Sequence, residues 1–356
     1  MEKITPIIHL TSNCNLRCKY CYVSNHNRQM ELLTHENMDC IISAIKKIID
    51  FNLPNYTRII LHGGEPLLTP LSALELFFDR VINYSNRISF SIQTNLTLLD
   101  EDYCNILKKY HVNVGFSLDG CDKVQNQLRV DSFGKSTFEK VIYNYEKVCN
   151  LGLAPGAIIT VNRFHINMER EILDFIESKH LKCNIRPAYP TGDSTYCMTP
   201  NEYGIYFNSL FDTWLENESY GTFYIAEFEE IVREVLGGEK ECRGCSKSKN
   251  CSRNFLSIDT LGKCYPCNRL HGIPEFYLGN LSLEPLDAIR ERAINITARR
   301  WEILKNTECA SCNIQGFCHG GCPAIAWSVY GDYNNKDYFC ESFQLIYNHV
   351  KQRIME

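Results

Sequence analysis

The octapeptide CNLRCKYC at residues 14–21 brings Cys14, Cys18 and Cys21 together in one short stretch of chain. An apolar run, ITPIIHL at 4–10, precedes it, so the cysteines fall in a loop that leaves a buried strand. Three thiolates in one loop can hold three irons of a [4Fe–4S] cube, and the fourth iron then keeps an open coordination position. The alternatives are a zinc site or three stray buried cysteines, but structural zinc normally takes four ligands. The spacing therefore predicts an iron–sulfur cluster that can bind a further ligand.

Short apolar runs alternate with amphipathic segments through the first half of the chain, as in repeated βα units. The runs predict six strands, at 4–10, 58–64, 88–95, 113–120, 156–162 and 183–189. Between them, apolar residues recur at three- and four-residue spacing, as at 34–51, which predicts helices. Six units are too few for a closed eight-unit barrel, so we expect an α/β fold built as an open, partial (β/α)6 barrel. Reacting groups in such folds lie at the carboxyl ends of the strands, where the CNLRCKYC loop also falls.

The composition excludes several classes of protein. The chain has 356 residues and a net charge of −5, which gives no electrostatic footprint for nucleic acid or for an anionic membrane. It has no run of about 18 apolar residues that could span a membrane, and its first residues do not form a signal peptide, so we expect a cytoplasmic protein. In the reducing cytosol its 19 cysteines are not expected to form a disulfide framework, which leaves metal or cluster ligation as the explanation.

Cysteine usage rises towards the C-terminus. Ten of the 19 cysteines lie in the last 115 residues, after a stretch whose periodicity is helical. We therefore expect three parts: a partial barrel at 1–195, a helical linker at 196–240 and a cysteine-rich domain at 241–356.

The first half of the chain resembles the radical S-adenosyl-L-methionine (SAM) superfamily. The resemblance rests on CNLRCKYC and on HGGEP (62–66), QTN (93–95) and SLDG (117–120), which end the second, third and fourth predicted strands in the family's order. It implies that the open iron chelates SAM, and it assigns contacts with that cofactor to Tyr20, Gly63, Gly64, Glu65, Gln93, Asn95, Ser117, Asp119 and Arg129. His62, directly before the two glycines, is a minor candidate for a contact with cofactor or substrate.

The second cysteine field, at 245–340, resembles the C-terminal SPASM extension of radical SAM enzymes, although a pair of zinc ribbons would also use its two-residue gaps. The resemblance implies two auxiliary [4Fe–4S] clusters, and hence three such clusters in the chain. The implied ligands of the first auxiliary cluster are Cys245, Cys251, Cys267 and Cys322. Those of the second are Cys309, Cys312, Cys318 and Cys340. Cys242 is an alternative to Cys245.

The resemblance implies an oxidoreductase that cleaves SAM reductively to methionine and a 5′-deoxyadenosyl radical, which takes a hydrogen from the substrate and ends as 5′-deoxyadenosine. Enzymes similar to this chain across both halves mostly modify peptides or proteins, so a precursor peptide is the expected substrate. An electron donor such as flavodoxin or ferredoxin is the expected partner. The barrel begins within ten residues of the first residue, so leader recognition, if any, would belong to the SPASM region or to a separate protein.

Asn268 separates this chain from the sulfatase maturases, which it resembles in overall plan. Those enzymes oxidise a cysteine or serine side chain to formylglycine, and their candidate base is an aspartate directly after the YPC cysteine. Asn268 holds that position here, and an amide cannot act as a base. Leu96, after QTN, also replaces a usual glycine. We therefore expect a maturase that installs a thioether or carbon–carbon crosslink in a ribosomally made peptide, with an unknown catalytic base. A sulfatase-type maturase is the second hypothesis, and a non-catalytic zinc-binding module is the third.

Overall fold

The computed structural model describes residues 3–25, 32–191, 194–217, 223–238, 247–248 and 251–355. Six parallel strands follow one another in the first half, each paired with the next in the chain. They are β1 (Thr5–His9), β2 (Thr57–His62), β3 (Ile88–Thr94), β4 (Asn113–Leu118), β5 (Gly156–Val161) and β6 (Lys182–Pro187). The predicted α/β fold with an open, mostly parallel sheet is confirmed.

Helices cover the sheet and fill the C-terminal part. In the barrel they are α1 (Met38–Asn52), α2 (Leu71–Ile82), α3 (Glu101–Lys109), α4 (Asp122–Leu128), α5 (Phe138–Asn150) and α6 (Glu169–Ser178). After it come α7 (Pro200–Glu216), α8 (Ala226–Val235), α9 (Cys251–Asn254), α10 (Leu286–Leu304), α11 (Gln315–Cys318), α12 (Pro323–Tyr330) and α13 (Cys340–Met355). The helix α1 shows why such segments fold as they do, because its isoleucines recur on one face and that face is buried. No helix in the described part of the chain is long and apolar enough to cross a membrane.

Three further strands extend the same sheet beyond β1. They are β7 (Phe255–Asp259), β8 (Lys263–Tyr265) and β9 (Gly279–Asn280), and the strand order is β6-β5-β4-β3-β2-β1-β7-β8-β9. The strand β7 runs parallel to β1, with His9 opposite Asp259, whereas β8 and β9 are antiparallel additions. The cysteine-rich segment therefore contributes strands to the barrel sheet. The boundaries proposed at 195 and 240 stay predictions.

The two faces of the sheet differ in burial. Alternate residues of β2 to β6 pack with helix residues in one continuous core, for example Leu61, Phe116 and Ile159, each less than 1% exposed. The intervening residues on the other face are partly exposed: Gln93, Ser117, Ile158, Thr160, Asn184 and Arg186. A face that alternates with a buried one, yet stays accessible and largely polar, is suited to bind a ligand.

Candidate active site

The cysteine loop (residues 10–21) lies at the carboxyl end of β1. It is held by main-chain hydrogen bonds, in which the N–H groups of Arg17 and Lys19 donate to the carbonyls of Val130 and Leu128 at 2.8 and 3.0 Å. Its three thiols are partly exposed: Cys14, Cys18 and Cys21. The loop is therefore fixed by its backbone, while its thiols remain accessible for a ligand.

Gly63 and Gly64 pack directly against this loop. The N–H groups of Gly64 and Glu65 donate to the carbonyls of Thr11 and Asn13, both at 2.8 Å. A Cβ on Gly63 would lie 2.2 Å from the Thr11 oxygen, and one on Gly64 would lie 2.1 Å from the Asn13 oxygen. Gly63 also has a φ of +136°. Both positions therefore require glycine for the close approach of two backbones, apart from any contact with a cofactor.

Glu65 is buried and joins the ends of β2 and β3. Its carboxylate accepts hydrogen bonds from the N–H of Leu67 at 3.0 Å, the hydroxyl of Thr94 at 2.6 Å and the N–H of Asn95 at 2.7 Å. Burial raises the pKa of Glu65 to about 7, against the lowering effect of these hydrogen bonds. The structure thus gives Glu65 a local role in addition to the predicted contact with SAM.

Asp119, Arg129 and Tyr20 form a buried charged cluster beside Cys18. The Arg129 guanidinium lies 3.1 Å from the Asp119 carboxylate, and their side chains are 7% and 0% exposed. The Tyr20 hydroxyl donates to Asp119 at 2.6–2.7 Å, and Arg129 Nη1 lies 3.7 Å from Cys18 Sγ. Burial raises the pKa of Cys18 to about 12, and the charge of Arg129 acts in the opposite direction. Arg129 therefore stabilises the thiolate form that an iron ligand requires.

The ends of β3 and β4 bring further predicted residues to the same edge. The amide of Asn95 donates to Asn15 in the cysteine loop at 2.9 Å and lies 3.8 Å from Cys14 Sγ. The amide of Gln93 donates to the Ser117 hydroxyl at 3.2 Å. All nine residues assigned to SAM thus lie at the carboxyl ends of β1 to β4 or in the segments that follow them, although their contacts with the cofactor stay predictions.

Leu96 follows this group with a φ of +64°, in the left-handed region that glycine occupies most easily. Its side chain is fully buried, and its carbonyl accepts a hydrogen bond from the Asn144 amide at 2.7 Å. Leu96 therefore adopts a backbone conformation that suits glycine better, and the burial of its side chain compensates for the strain.

The cysteines within the barrel set lie near one another, and so do those within the second auxiliary set. Burial raises the pKa of Cys18 most, and the neighbouring Cys21 and Cys14 raise it further. Burial likewise dominates the raised pKa of Cys318, with further contributions from Cys340 and Cys309, and Cys312 acts on Cys340 in turn. The assignment of these two sets as cluster ligands stays a prediction.

The first auxiliary set is seen only in part. Tyr189 lies close enough to both Cys267 and Cys322 for their charges to raise its pKa, although burial is the larger cause. Cys251 and Cys322 both act on Arg300. The predicted fourth ligand and its alternative, Cys245 and Cys242, lie outside the described residues.

The described cysteine sets suit cubes better than single ions. No three histidine, cysteine, aspartate or glutamate side chains in the described part of the chain converge tightly enough to hold one metal ion. A zinc ion binds its thiolates at about 2.3 Å, whereas a [4Fe–4S] cube takes one thiolate for each iron and so has more widely separated ligands. The cysteine loop, with three thiols on one short segment, would hold the SAM-binding cluster.

Asn268 lies in a ring of polar side chains that the sequence analysis did not assemble. Its amide oxygen is 2.6 Å from His9 Nε2, and its amide nitrogen is 2.5 Å from the Tyr22 hydroxyl and 3.1 Å from His62 Nε2. The ring of His271 stacks on that of His9, with centroids 3.6 Å apart. Only His62 and Asn268 had been singled out. A histidine near the end of a largely apolar run, as in ITPIIHL, was the available signal for His9.

Burial lowers the pKa of all three histidines, that of His62 to about 4 and that of His271 to about 3. The mutual repulsion of the three rings adds to the lowering at His9 and His271. All three are therefore uncharged at neutral pH, and each neutral ring has one nitrogen that can accept a proton.

Comparisons with known proteins bear on the family and the fold of this chain. A model of the Radical SAM superfamily matches residues 8–176. The cysteine-type anaerobic sulfatase-maturating enzyme of Clostridium novyi is 26% identical over 97% of this chain and 94% of that protein. Two solved structures share the fold. Native anSMEcpe with bound AdoMet and Cp18Cys peptide has a TM-score of 0.85 and 23% identity over 99% of this chain and 98% of that one. Streptococcus suis SuiB bound to precursor peptide SuiA has a TM-score of 0.70 and 16% identity over 95% and 76%.

Proposed function

Residues 8–176 form a radical SAM domain, and from that premise we propose that this chain is a maturase that oxidises a side chain of a peptide or protein. The observation that carries the proposal is that residues from the barrel and from the cysteine-rich segment meet in one site. Because β7 pairs with β1, the segment after β8 places Asn268 against His62 at the edge that also holds the cysteine loop. The relative from Clostridium novyi spans nearly the whole chain and is a sulfatase-maturating enzyme, which supports this class of substrate.

The residues divide the work of such a reaction. SAM bound at a reduced cluster supplies the radical that removes a hydrogen from the substrate. Cys14, Cys18 and Cys21 would hold that cluster, while Arg129 with Asp119 stabilises the thiolate of Cys18. The partly exposed polar face of β3 to β6 is the surface on which SAM and a peptide side chain would be positioned for the reaction.

Oxidation of a cysteine or serine side chain to an aldehyde is the modification that we propose first. Its support is the similarity, over nearly the whole chain, to a sulfatase-maturating enzyme. In addition, the imidazole of His62, which can accept a proton, contacts Asn268, the residue that stands in place of the aspartate base. A thioether or carbon–carbon crosslink in a ribosomally made peptide, the first hypothesis from the sequence, is the second candidate. Asn268 favours it, since an amide in place of the aspartate argues for a changed reaction. A flavodoxin or ferredoxin as electron donor and a separate leader-recognition protein stay predictions.

The test is an anaerobic reaction of the reconstituted chain with SAM, a reductant and the Cp18Cys peptide, and with a version of that peptide in which serine replaces the cysteine. We expect 5′-deoxyadenosine and a peptide aldehyde, detected by mass and by capture with a hydrazide. A product that loses two hydrogens without reacting with the hydrazide would support the crosslink instead. Formation of 5′-deoxyadenosine with both peptides left unchanged would contradict the proposed substrate. An iron count near zero, rather than about twelve for three cubes, would favour the zinc module.

A further inference from the structure

The side chain of Asn268 cannot accept the proton that oxidation of a thiol or hydroxyl releases, because an amide is not a base in water. It does contact a group that can. His62 Nε2 is 3.1 Å from the Asn268 amide nitrogen, and His62 is the last residue of β2, directly before the glycines that pack on the cysteine loop. As residues, His62 and His271 are partly exposed, whereas His9 is only 4% exposed. Of the three histidines around Asn268, His62 therefore combines exposure with closeness to the cluster loop.

Two tautomers are open to the His62 ring, because Nδ1 lies 2.8 Å from the Gly63 N–H, from which it can accept, and 3.2 Å from the Gly63 carbonyl, to which it can donate. The Asn268 amide nitrogen donates towards Tyr22 and His62 Nε2, so Nε2 bears an electron pair. With this orientation of the Asn268 amide, the neutral His62 ring carries its proton on Nδ1 and donates it to the Gly63 carbonyl. The Asn268 oxygen accepts from His9 Nε2 at 2.6 Å. In this tautomer, Nε2 of His62 is the nitrogen prepared to take a proton.

We propose that His62 is the proton acceptor of the reaction, in place of the aspartate that sulfatase maturases carry at the position of Asn268. The inference rests on the proposed function. The radical that SAM would supply at its cluster would take a hydrogen atom from the substrate carbon, and the proton of the adjacent S–H or O–H would pass to His62 Nε2. The remaining electron passes to an oxidised one-electron acceptor of the iron–sulfur class, and a C=S or C=O double bond forms. Water then converts the thioaldehyde to the aldehyde with release of hydrogen sulfide.

Asn268 is the positioning residue in this scheme. Once Nε2 is protonated, the amide N–H that faces it repels the new N–H. A half-turn of the amide presents its oxygen to His62 instead and its nitrogen to His9, whose neutral ring can accept that bond through Nε2 in its other tautomer. An amide can thus stabilise both protonation states of His62, although it cannot itself take the proton as an aspartate can.

The groups that face His62 fit a base that is neutral at rest. His9 and His271 lie on one side, and both are uncharged because burial and repulsion lower their pKa. Tyr22, bound to the Asn268 amide, keeps its proton because burial raises its pKa. Lys263 acts on His271 from β8. A radical centre next to sulfur or oxygen makes the attached S–H or O–H far more acidic, so even a weak base such as a buried imidazole suffices.

The test compares wild type with His62→Ala in the reaction with the Cp18Cys peptide. General-base catalysis contributes about 10²–10⁴-fold, so we expect the rate of aldehyde formation to fall by about 100-fold or more while 5′-deoxyadenosine is still produced. Added imidazole, which can occupy the space of the missing ring, should restore part of the rate. The affinity for a fluorescent Cp18Cys peptide, measured without reductant, should stay unchanged. His349→Ala, on α13 and bonded to Asp212, is the control and should behave as wild type.

A second variant guards against misfolding. In His62→Gln with Asn268→Asp, a carboxylate returns to the position of the aspartate, and aldehyde formation should recover relative to His62→Gln alone. A wild-type rate of aldehyde formation in both His62→Ala and His62→Gln would overturn the role of His62 while leaving the proposed function intact. A loss in His62→Ala that neither imidazole nor the carboxylate rescues would reduce His62 to a structural residue. If the wild type itself oxidises neither peptide, the proposed function fails, and this inference fails with it.

Discussion

Replacing Gly64 with alanine should dislodge the cysteine loop, because the structure leaves no room for one additional methyl group. The Cβ would lie 2.1 Å from the carbonyl oxygen of Asn13 and 2.6 Å from that of Ser12. Both neighbours are main-chain atoms of the loop that carries Cys14, so no side chain can rotate away to relieve the contact. Gly64 does not have a positive φ, so the change adds no backbone strain of its own and tests the contact alone.

The cost follows from the bonds that the displaced loop must give up. Separating the two atoms to an ordinary contact requires a shift of more than about 1 Å. Such a shift breaks the hydrogen bonds from Gly64 to Thr11 and from Glu65 to Asn13, both 2.8 Å. At about 0.5–1.5 kcal/mol each, their loss lowers the free energy of unfolding by about 1–3 kcal/mol. The displaced loop also misplaces Cys14 relative to Cys18 and Cys21.

Two measurements check Gly64→Ala. Urea unfolding of the cluster-free chain, followed by circular dichroism, should show the loss of about 1–3 kcal/mol. Iron analysis after reconstitution should show a loss of about four of roughly twelve irons. The matched control is Gly156→Ala in β5, where the nearest atom to an added Cβ is 3.9 Å away; it should be neutral or up to about 1 kcal/mol stabilising. Full iron content and wild-type stability in Gly64→Ala would refute the steric reasoning.

Three further predictions concern the same edge of the sheet. Burial raises the pKa of Glu65 from 4.5 to about 7, so the folded cluster-free chain retains a proton that the unfolded chain loses. Relative to Glu65→Gln, wild type should therefore lose at most about 3 kcal/mol of stability as the pH rises from about 4.5 to about 7, and parallel urea-derived pH curves would contradict this. Asp119→Asn leaves the charge of Arg129 buried without its partner and should lower the free energy of unfolding by about 3–5 kcal/mol. Asp119→Asn combined with Arg129→Met should lower it by less in urea unfolding. An equal or larger loss in the double variant would count against a buried ion pair. Leu96→Gly relieves a left-handed backbone worth about 1–2 kcal/mol but removes a fully buried side chain worth about 2–5 kcal/mol, so thermal unfolding should show a net loss, and a raised melting temperature would mean that strain dominates.

The barrel strands were predictable because their signal is local. Each of the six predicted strands begins and ends within two residues of the observed one, since a run of apolar residues is visible without knowledge of its partner. The strands β8 and β9 have three and two residues, too few for a periodic pattern, and β7 has five. The place of β7 in the sheet depends on its pairing with β1, which lies about 250 residues away in the chain, and β8 and β9 are added to β7. No property of a short segment encodes that long-range pairing.

The cysteine loop and the glycines were likewise predictable as neighbours, because their motifs end strands that are adjacent in the sheet. The sequence could not show why two glycines are needed there, since the close approach of Asn13 to Gly64 depends on how the loop packs in the folded chain. The ring around Asn268 was out of reach for a similar reason. Its members come from β1, β2 and the segment after β8, and each histidine alone has no recognisable pattern.

The pairing of β7 with β1 also changes how Asn268 should be interpreted. From the sequence, Asn268 belongs to a separate cysteine-rich domain, and its difference from aspartate marks a departure from one known reaction. In the structure, β7 continues the barrel sheet, and the turn after β8 returns the chain to the carboxyl ends of β1 and β2, where His9 and His62 end. An aspartate at that position would lie against imidazoles that burial keeps uncharged. In the proposed mechanism, asparagine in place of aspartate does not leave the site without a base, because the nitrogen of His62 lies next to a side chain that can hydrogen-bond to it in either protonation state.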